Sequence, residues 1–197
     1  MLIAEFASSP LRIADHETTD APHPAEIAKI SAPLDSVLTE ELDGAEWYLG
    51  LPSEEILLAA LGLAIARTIG EGVVPVDVTG YIGPVALSCT SAGLATATES
   101  LGAVHRSLAA GPTAPKLAAQ PPSELFFSYL GAEPGLRHTL ELRTYREDGV
   151  VQLDWWYDTR SFDAYTVEEL AEQLPLSLIE LTSEASPQAH TPMAVGH

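Results

Sequence analysis

The chain has 197 residues, 46% of them hydrophobic and 19% charged, enough for one domain with a sizeable buried core. Its 28 acidic and 9 basic residues give a formal net charge of −19. That balance argues against nucleic-acid binding through phosphates and against anionic membrane surfaces, because too few cations exist to neutralise either. The single cysteine, Cys89, rules out an internal disulfide and a cysteine-only metal site, and fits a reducing, cytoplasmic setting.

Residues 1–33 carry Pro10, Pro22, Pro24 and Pro33 among mixed polar residues and read as an extended N-terminal arm, with room for a short strand at residues 2–6 or 12–16. The first residues have too short an apolar run, and no basic region before it, for a secretion signal. A short helix is expected around residues 35–42, ending near Gly44. Ser53 then offers an N-cap, with Glu54 and Glu55 in the first turn where the helix dipole favours them. Ile56, Leu57, Ala60, Leu61, Ala64, Ile65 and Thr68 follow helical spacing, and Gly70 and Gly72 end the run. Ala59, Ala60, Gly62, Ala64 and Ala66 predict close packing on a sheet. With Arg67 inside it, this stretch is too short to span a bilayer.

A buried strand is expected at residues 73–78, broken by Thr79-Gly80, and another at 81–89, bent or placed at an edge by Pro84. A second helix is read at 91–108, with Leu94, Ala97, Leu101, Val104 and Leu108 as its apolar stripe. Residues 111–122 read as a proline-rich loop. The densest patterning follows, with strands at 124–131, 138–146 and 150–157. Leu140, Leu142 and Thr144 alternate with Glu141, Arg143 and Tyr145, and Val151, Leu153 and Trp155 alternate with Gln152, Asp154 and Trp156. Asp148-Gly149 predicts a tight hairpin. Thr166 and Glu169 suggest a capping box opening the last helix, lined by Val167, Leu170, Leu174, Leu178 and Leu181 and kinked at Pro175. Residues 186–197 read as a disordered tail. The sum is an α/β fold: a mixed β-sheet of about five strands with three main helices.

Chemistry is sparse. His138 could act as a general base if Glu141 or Asp154 oriented it, although a histidine at a strand start is commonly a surface residue. His105 reads as a half-exposed helix residue. Cys89 precedes a helix but has no cation nearby, so it reads as a buried, inert thiol. Ser88, Thr90 and Ser91 read as cap and turn residues. Asp154, Asp158, Asp163, Glu147 and Asp148 cluster around Trp155, Trp156 and Tyr157 without the spacing of a metal loop, and those rings with Phe162 read as packing. Arg160 is expected to pair Asp158 or Asp163. No phosphate-cradling glycine loop or zinc spacing occurs, so neither a metal nor a cofactor is expected.

Several strings carry a resemblance. FFSYLG, at 126–131, resembles the "FNYLG" strand of nonribosomal-peptide condensation domains. DGVVQLDWWYDTRSFDAYTVEELAEQL, at 148–174, resembles the hairpin strand, linker and helix that follow it there. SEEILLAALGLAIARTIGEGVVPVDV resembles that family's "LLAAL-x-x-A" helix and next strand, and YIGPVALSC occupies the place of its "VGWFT…P" strand. The match runs over residues 31–185. It implies the C-terminal half of the chloramphenicol-acetyltransferase-like architecture: a condensation-like half domain at 34–185, in a family where two halves form a V with the chemistry between them.

The family's H-H-x-x-x-D-G signature belongs to the other half. The six histidines here, His16, His23, His105, His138, His190 and His197, include no adjacent pair. Ser128 stands where the family usually has Asn, and its polar stretch after the first strand is reduced to Thr79-Gly80. The resemblance therefore implies a module of natural-product or acyl assembly that binds an acyl or peptidyl intermediate or its carrier protein. The missing half, or a second copy in a homodimer, is the other expected partner. The alternatives are one half of a split condensation enzyme, a structural interaction module, or a cyclase or acyltransferase that uses His138, Tyr129 or Asp154.

Overall fold

The computed structural model describes residues 11–18, 23–91, 93–110, 123–129 and 137–185. The expected strand at residues 2–6, the loop at 111–122 and the tail at 186–197 lie outside the described residues, as does the end of FFSYLG. Six strands and four α-helices occur among the described residues: one strand more than expected, and the short helix near residues 35–42 is a full-length one. They run in the order β1 (Ile27–Ser31), α1 (Ser36–Leu49), α2 (Ser53–Thr68), β2 (Gly72–Val78), β3 (Val85–Cys89), α3 (Ala97–Ala109), β4 (Leu125–Tyr129), β5 (Leu140–Glu147), β6 (Val150–Asp158) and α4 (Ala164–Glu184). The strands form one mixed sheet in the order β1-β6-β5-β4-β2-β3. β4 pairs parallel with β2 and with β5; the other pairs are antiparallel.

The sixth strand comes from the stretch read as an arm. Residues 27–31 pair with β6, with Ile30 opposite Trp155. Residues 12–16 are not a strand, but they are tied down: the Leu11 N–H donates to the Val73 carbonyl at 2.9 Å, and Ile13 is buried. The β5–β6 hairpin turns at Asp148-Gly149 as expected, both residues with positive φ (49° and 80°), the left-handed geometry a two-residue turn requires.

Helix ends account for most boundary differences. α1 runs past Gly44 to Leu49. Asp35 caps its start, accepting from the Leu38 N–H at 2.8 Å, and the left-handed Gly50 stops it. At α2 the cap position is Pro52, and the Ser53 hydroxyl instead donates to Glu46. α3 starts at Ala97, not Ser91, because Thr96 and Glu99 form a capping box; Leu94 is left exposed before it. β3 starts only after Pro84. α4 begins at Ala164, two residues before Thr166, so the expected Thr166–Glu169 box does not form, and the helix runs unbroken through Pro175.

The helices cover one face of the sheet. Leu125, Phe127, Leu140, Leu142 and Trp155 on that face are all fully buried. α2 is buried along nearly its whole length, as a helix apolar on all sides must be. At Gly62 an added Cβ would sit 2.8 Å from the Ser88 carbonyl oxygen, so the glycine sets how closely α2 lies on β3. Among the described residues no single helix is long and apolar enough to cross a membrane.

Candidate functional site

Period-two alternation sends the other half of each strand to the opposite face. The register aligns Lys29 with Trp156, Ser31 with Asp154, Asp154 with Arg143, Trp156 with Glu141, Phe126 with Glu141, Ser128 with Arg143, and Asp77 with Phe126. These residues lie side by side across five strands. They make the second face of the sheet polar, aromatic and charged.

His138, just before β5, sits at the start of this row. Its Nε2 is 2.8 Å from Asp77 Oδ2, its Nδ1 is 3.6 Å from Glu141 Oε1, and its ring stacks on Phe126 with centroids 5.2 Å apart. Burial alone would lower the pKa of this imidazole, but Glu141 and Asp77 outweigh it and hold it above the ordinary histidine value. The arrangement favours the imidazolium. A general base needs the neutral ring with a nitrogen open to substrate; here Nε2 is bonded to Asp77, and Nδ1 is buried beside Glu141 with no hydrogen-bond partner among the described residues.

Glu141 lies between His138 and Arg143. It accepts from the Arg137 N–H at 2.8 Å and from Arg143 Nε at 3.1 Å, with a further bond from Arg143 Nη2. Glu141 and Arg143 are both buried. Burial would raise the Glu141 pKa, but His138, Arg143 and the Arg137 N–H hold it low. Arg143 also lies 5.9 Å from the centre of the Trp156 ring, and Lys29 Nζ lies 5.3 Å from it. Lys29 in turn contacts Asp154 at 2.7 Å. Asp154 also accepts from Ser31 Oγ at 2.7 Å and Tyr145 OH at 3.2 Å. Burial would raise the Asp154 pKa, and Lys29 with Ser31 overcomes it. The face thus carries a row of alternating charge from Asp77 through His138, Glu141, Arg143 and Asp154 to Lys29. Within it, Ser128 Oγ is fully buried and has no hydrogen-bond partner among the described residues.

The three candidate catalytic residues are not brought together. His138 and Asp154 share the polar face, but Asp154 is engaged by Lys29, Ser31 and Tyr145, and the carboxylates beside His138 are Asp77 and Glu141. Tyr129 alternates with Ser128 onto the helix-covered face and packs against the core. Sequence reasoning missed Asp77 because the β2–β4 pairing that brings it in spans distant parts of the chain; its one local trace is a lone acid in the run VVPVDV. It missed Lys29 and Ser31 because they lay in the expected arm.

The remaining candidates are structural. His105 Nδ1 is 2.9 Å from Glu55, linking α3 to α2. Cys89 is buried and its pKa is pushed up to about 12 by burial, leaving the thiol inert. Arg160 pairs Asp158 at 2.8 Å and Glu26 at 3.2 Å. Ser91 donates to Glu71 at 2.5 Å. Among the described residues no group of three or more His, Cys, Asp or Glu could hold a metal ion.

No protein-family model matches the chain. A phenolphthiocerol/phthiocerol polyketide synthase component of Mycobacterium tuberculosis (strain H37Rv) is 33% identical over 233 residues, taking in 88% of this chain. The chain spans only 16% of the length of that relative. The aligned length exceeds the 197 residues of the chain, so the relative carries insertions that this chain lacks. The epimerization domain from the third module of tyrocidine synthetase B superposes with a TM-score of 0.74 at 18% identity, over 91% of this chain and 52% of that one. The X-domain of teicoplanin biosynthesis, solved in complex with OxyB, gives 0.68 at 17% identity, over 93% of this chain and 51% of that one. Both neighbours thus match this chain over about half their length, and the chain has the fold of one half of a condensation-type domain of the chloramphenicol-acetyltransferase-like architecture.

Proposed function

We propose that the chain is a condensation-type half module of natural-product assembly, in the cytoplasm. In this reading it supplies a surface for an acyl or peptidyl intermediate, or for the protein that carries it, and not the acyl-transfer base. Its folded unit takes in β1 as well as residues 34–185. The similarity to a polyketide synthase, and the synthetase and teicoplanin-biosynthesis neighbours, support the setting. The observation that carries the reading is the placement of His138: its Nε2 is bonded to Asp77 and its Nδ1 is buried beside Glu141, so neither nitrogen is open to a substrate. The half fold itself supports a partner: the other half of the architecture, on the same or another polypeptide, completes the V.

The test uses the chain together with that other half and a carrier protein loaded with an acyl chain. Hydrogen exchange is expected to slow at β4, β5 and β6 with loaded carrier and not with unloaded carrier. His138→Gln is expected to leave turnover of the reconstituted complex within about twofold, since a positioned general base would contribute roughly 100-fold or more. Loss of turnover with carrier binding intact would overturn the reading in favour of a catalytic His138.

A further inference from the structure

Helix α1 has two distinct faces. Thr39, Leu42, Ala45 and Leu49 are buried toward the core. Val37, Glu40, Glu41, Gly44, Trp47 and Tyr48 recur at the opposite helical spacing, and all are exposed. Trp47 is 87% exposed, Val37 61% and Tyr48 55%. Large apolar side chains grouped on one helix face mark a contact surface better than scattered ones do.

Two further observations define what fits there. Glu40 and Glu41 make no side-chain hydrogen bond or ion pair among the described residues, whereas the neighbouring acids of α1 are engaged: Asp35 caps the helix, Asp43 pairs with Arg146 and Glu46 accepts from Ser53. An apolar strip flanked by unpaired carboxylates complements a cationic partner. The second observation is Gly44, at the middle of the face. A glycine inside a helix is unfavourable relative to alanine, and nothing among the described residues requires it, since a Cβ there would meet nothing within 4 Å. It leaves a flat notch between Trp47 and Glu40 where another backbone can approach closely.

We propose that the outer face of α1 docks a basic amphipathic helix of a partner protein, its apolar residues seated over Gly44 beside Trp47 and its Lys or Arg side chains paired with Glu40 and Glu41. A second copy of this chain is the poorer occupant, because two α1 faces would bring like carboxylates together in a molecule already at −19. The proposal is independent of the polar sheet face.

The probes are two synthetic helices about as long as α1, with the same Leu/Ala face, one flanked by Lys and one by Glu. With the full chain, the Lys helix is expected to shift Trp emission to the blue, to protect α1 amides from exchange, and to bind less tightly as salt is raised. Trp47→Ser should weaken it about tenfold or more, and Glu40→Gln with Glu41→Gln should remove most of the salt dependence. Gly44→Ala should raise the thermal midpoint of the free chain and still weaken binding, which separates docking from loss of fold. Equal binding of the Glu helix, protection at elements other than α1, or concentration-dependent burial of Trp47 by the chain itself would each overturn the assignment.

Discussion

On the helix side of the sheet, Leu125, Phe127, Leu140, Leu142 and Trp155 share one buried core with apolar side chains of α2 and α4. On the other side, one residue along each strand, Phe126, Glu141, Arg143, Asp154 and Trp156 meet charges from neighbouring strands. Both rows are largely buried. The first is stabilised by removal of apolar surface from water, which is non-directional and scales with area. The second depends on each charge having its counter-charge in place, because an uncompensated buried charge costs several kcal/mol. The same strands therefore carry two kinds of stability that fail in different ways.

The largest effect is expected on the apolar side. Trp155→Ala removes a fully buried indole and should cost about 3 to 5 kcal/mol in urea unfolding, with little dependence on salt or pH. A smaller cost would mean that the cavity collapses and that this face is less tightly packed than its burial indicates.

Next comes Glu141→Gln, which strips Arg143 and His138 of a shared carboxylate. A loss of about 3 kcal/mol is expected, at the low end for a broken buried pair because Arg143 keeps its contact with Trp156. Replacing Glu141 and Arg143 together by Leu and Met should cost less than Glu141→Gln alone. If the double variant is the worse of the two, the row stabilises through its own attraction and not merely by mutual compensation.

The apolar side was the legible one. LEL and VQLDW alternate in the sequence, and the apolar residues of that alternation are the ones that face the helices. The hairpin turn at Asp148-Gly149 and the stripe of α4 depend on residues close in sequence, so local pattern suffices. The polar row depends on which strands are neighbours. Asp77 reaches His138 only through the parallel β2–β4 pair, and Lys29 reaches Asp154 only because β1 adds to the outer edge of the hairpin. No local signal encodes either. The face that Tyr129 takes was not legible, because a strand of five residues with Phe, Phe, Ser and Tyr in succession has no clear alternation.

Gly62→Ala probes the joint between helix layer and sheet. The new Cβ would approach the Ser88 carbonyl oxygen at 2.8 Å and Leu87 Cδ1 at 3.2 Å. Backbone oxygen cannot rotate away, so α2 must shift off β3. A cost of about 1 to 3 kcal/mol is expected from over-packing, with midpoint lowered and denaturant slope unchanged. No loss, or a gain from the better helix propensity of alanine, would show that this contact is looser than its distances indicate.

The smallest effect, and the one most specific to the polar side, is expected at His138. Its folded-state pKa is raised, because Glu141 and Asp77 outweigh the opposing effect of burial. The proton is thus held more tightly in the folded chain. Its contribution to stability is complete below the unfolded histidine value of about 6.5 and disappears as pH rises through the folded value. Glu141 and Asp154 run the other way: burial would raise both, but their partners hold them low. Their contribution is complete above the unfolded carboxylate values of about 4 and is lost as pH falls through the folded ones. The polar row should therefore stabilise most between these two ranges, roughly pH 5 to 6.5. His138→Gln should flatten the decline of stability on the alkaline side and leave the acid limb in place. Trp155→Ala should lower the whole profile without changing its shape. Urea unfolding of the three proteins from acid to alkaline pH separates these outcomes, and a His138→Gln profile parallel to that of the parent chain would remove the imidazolium from the row.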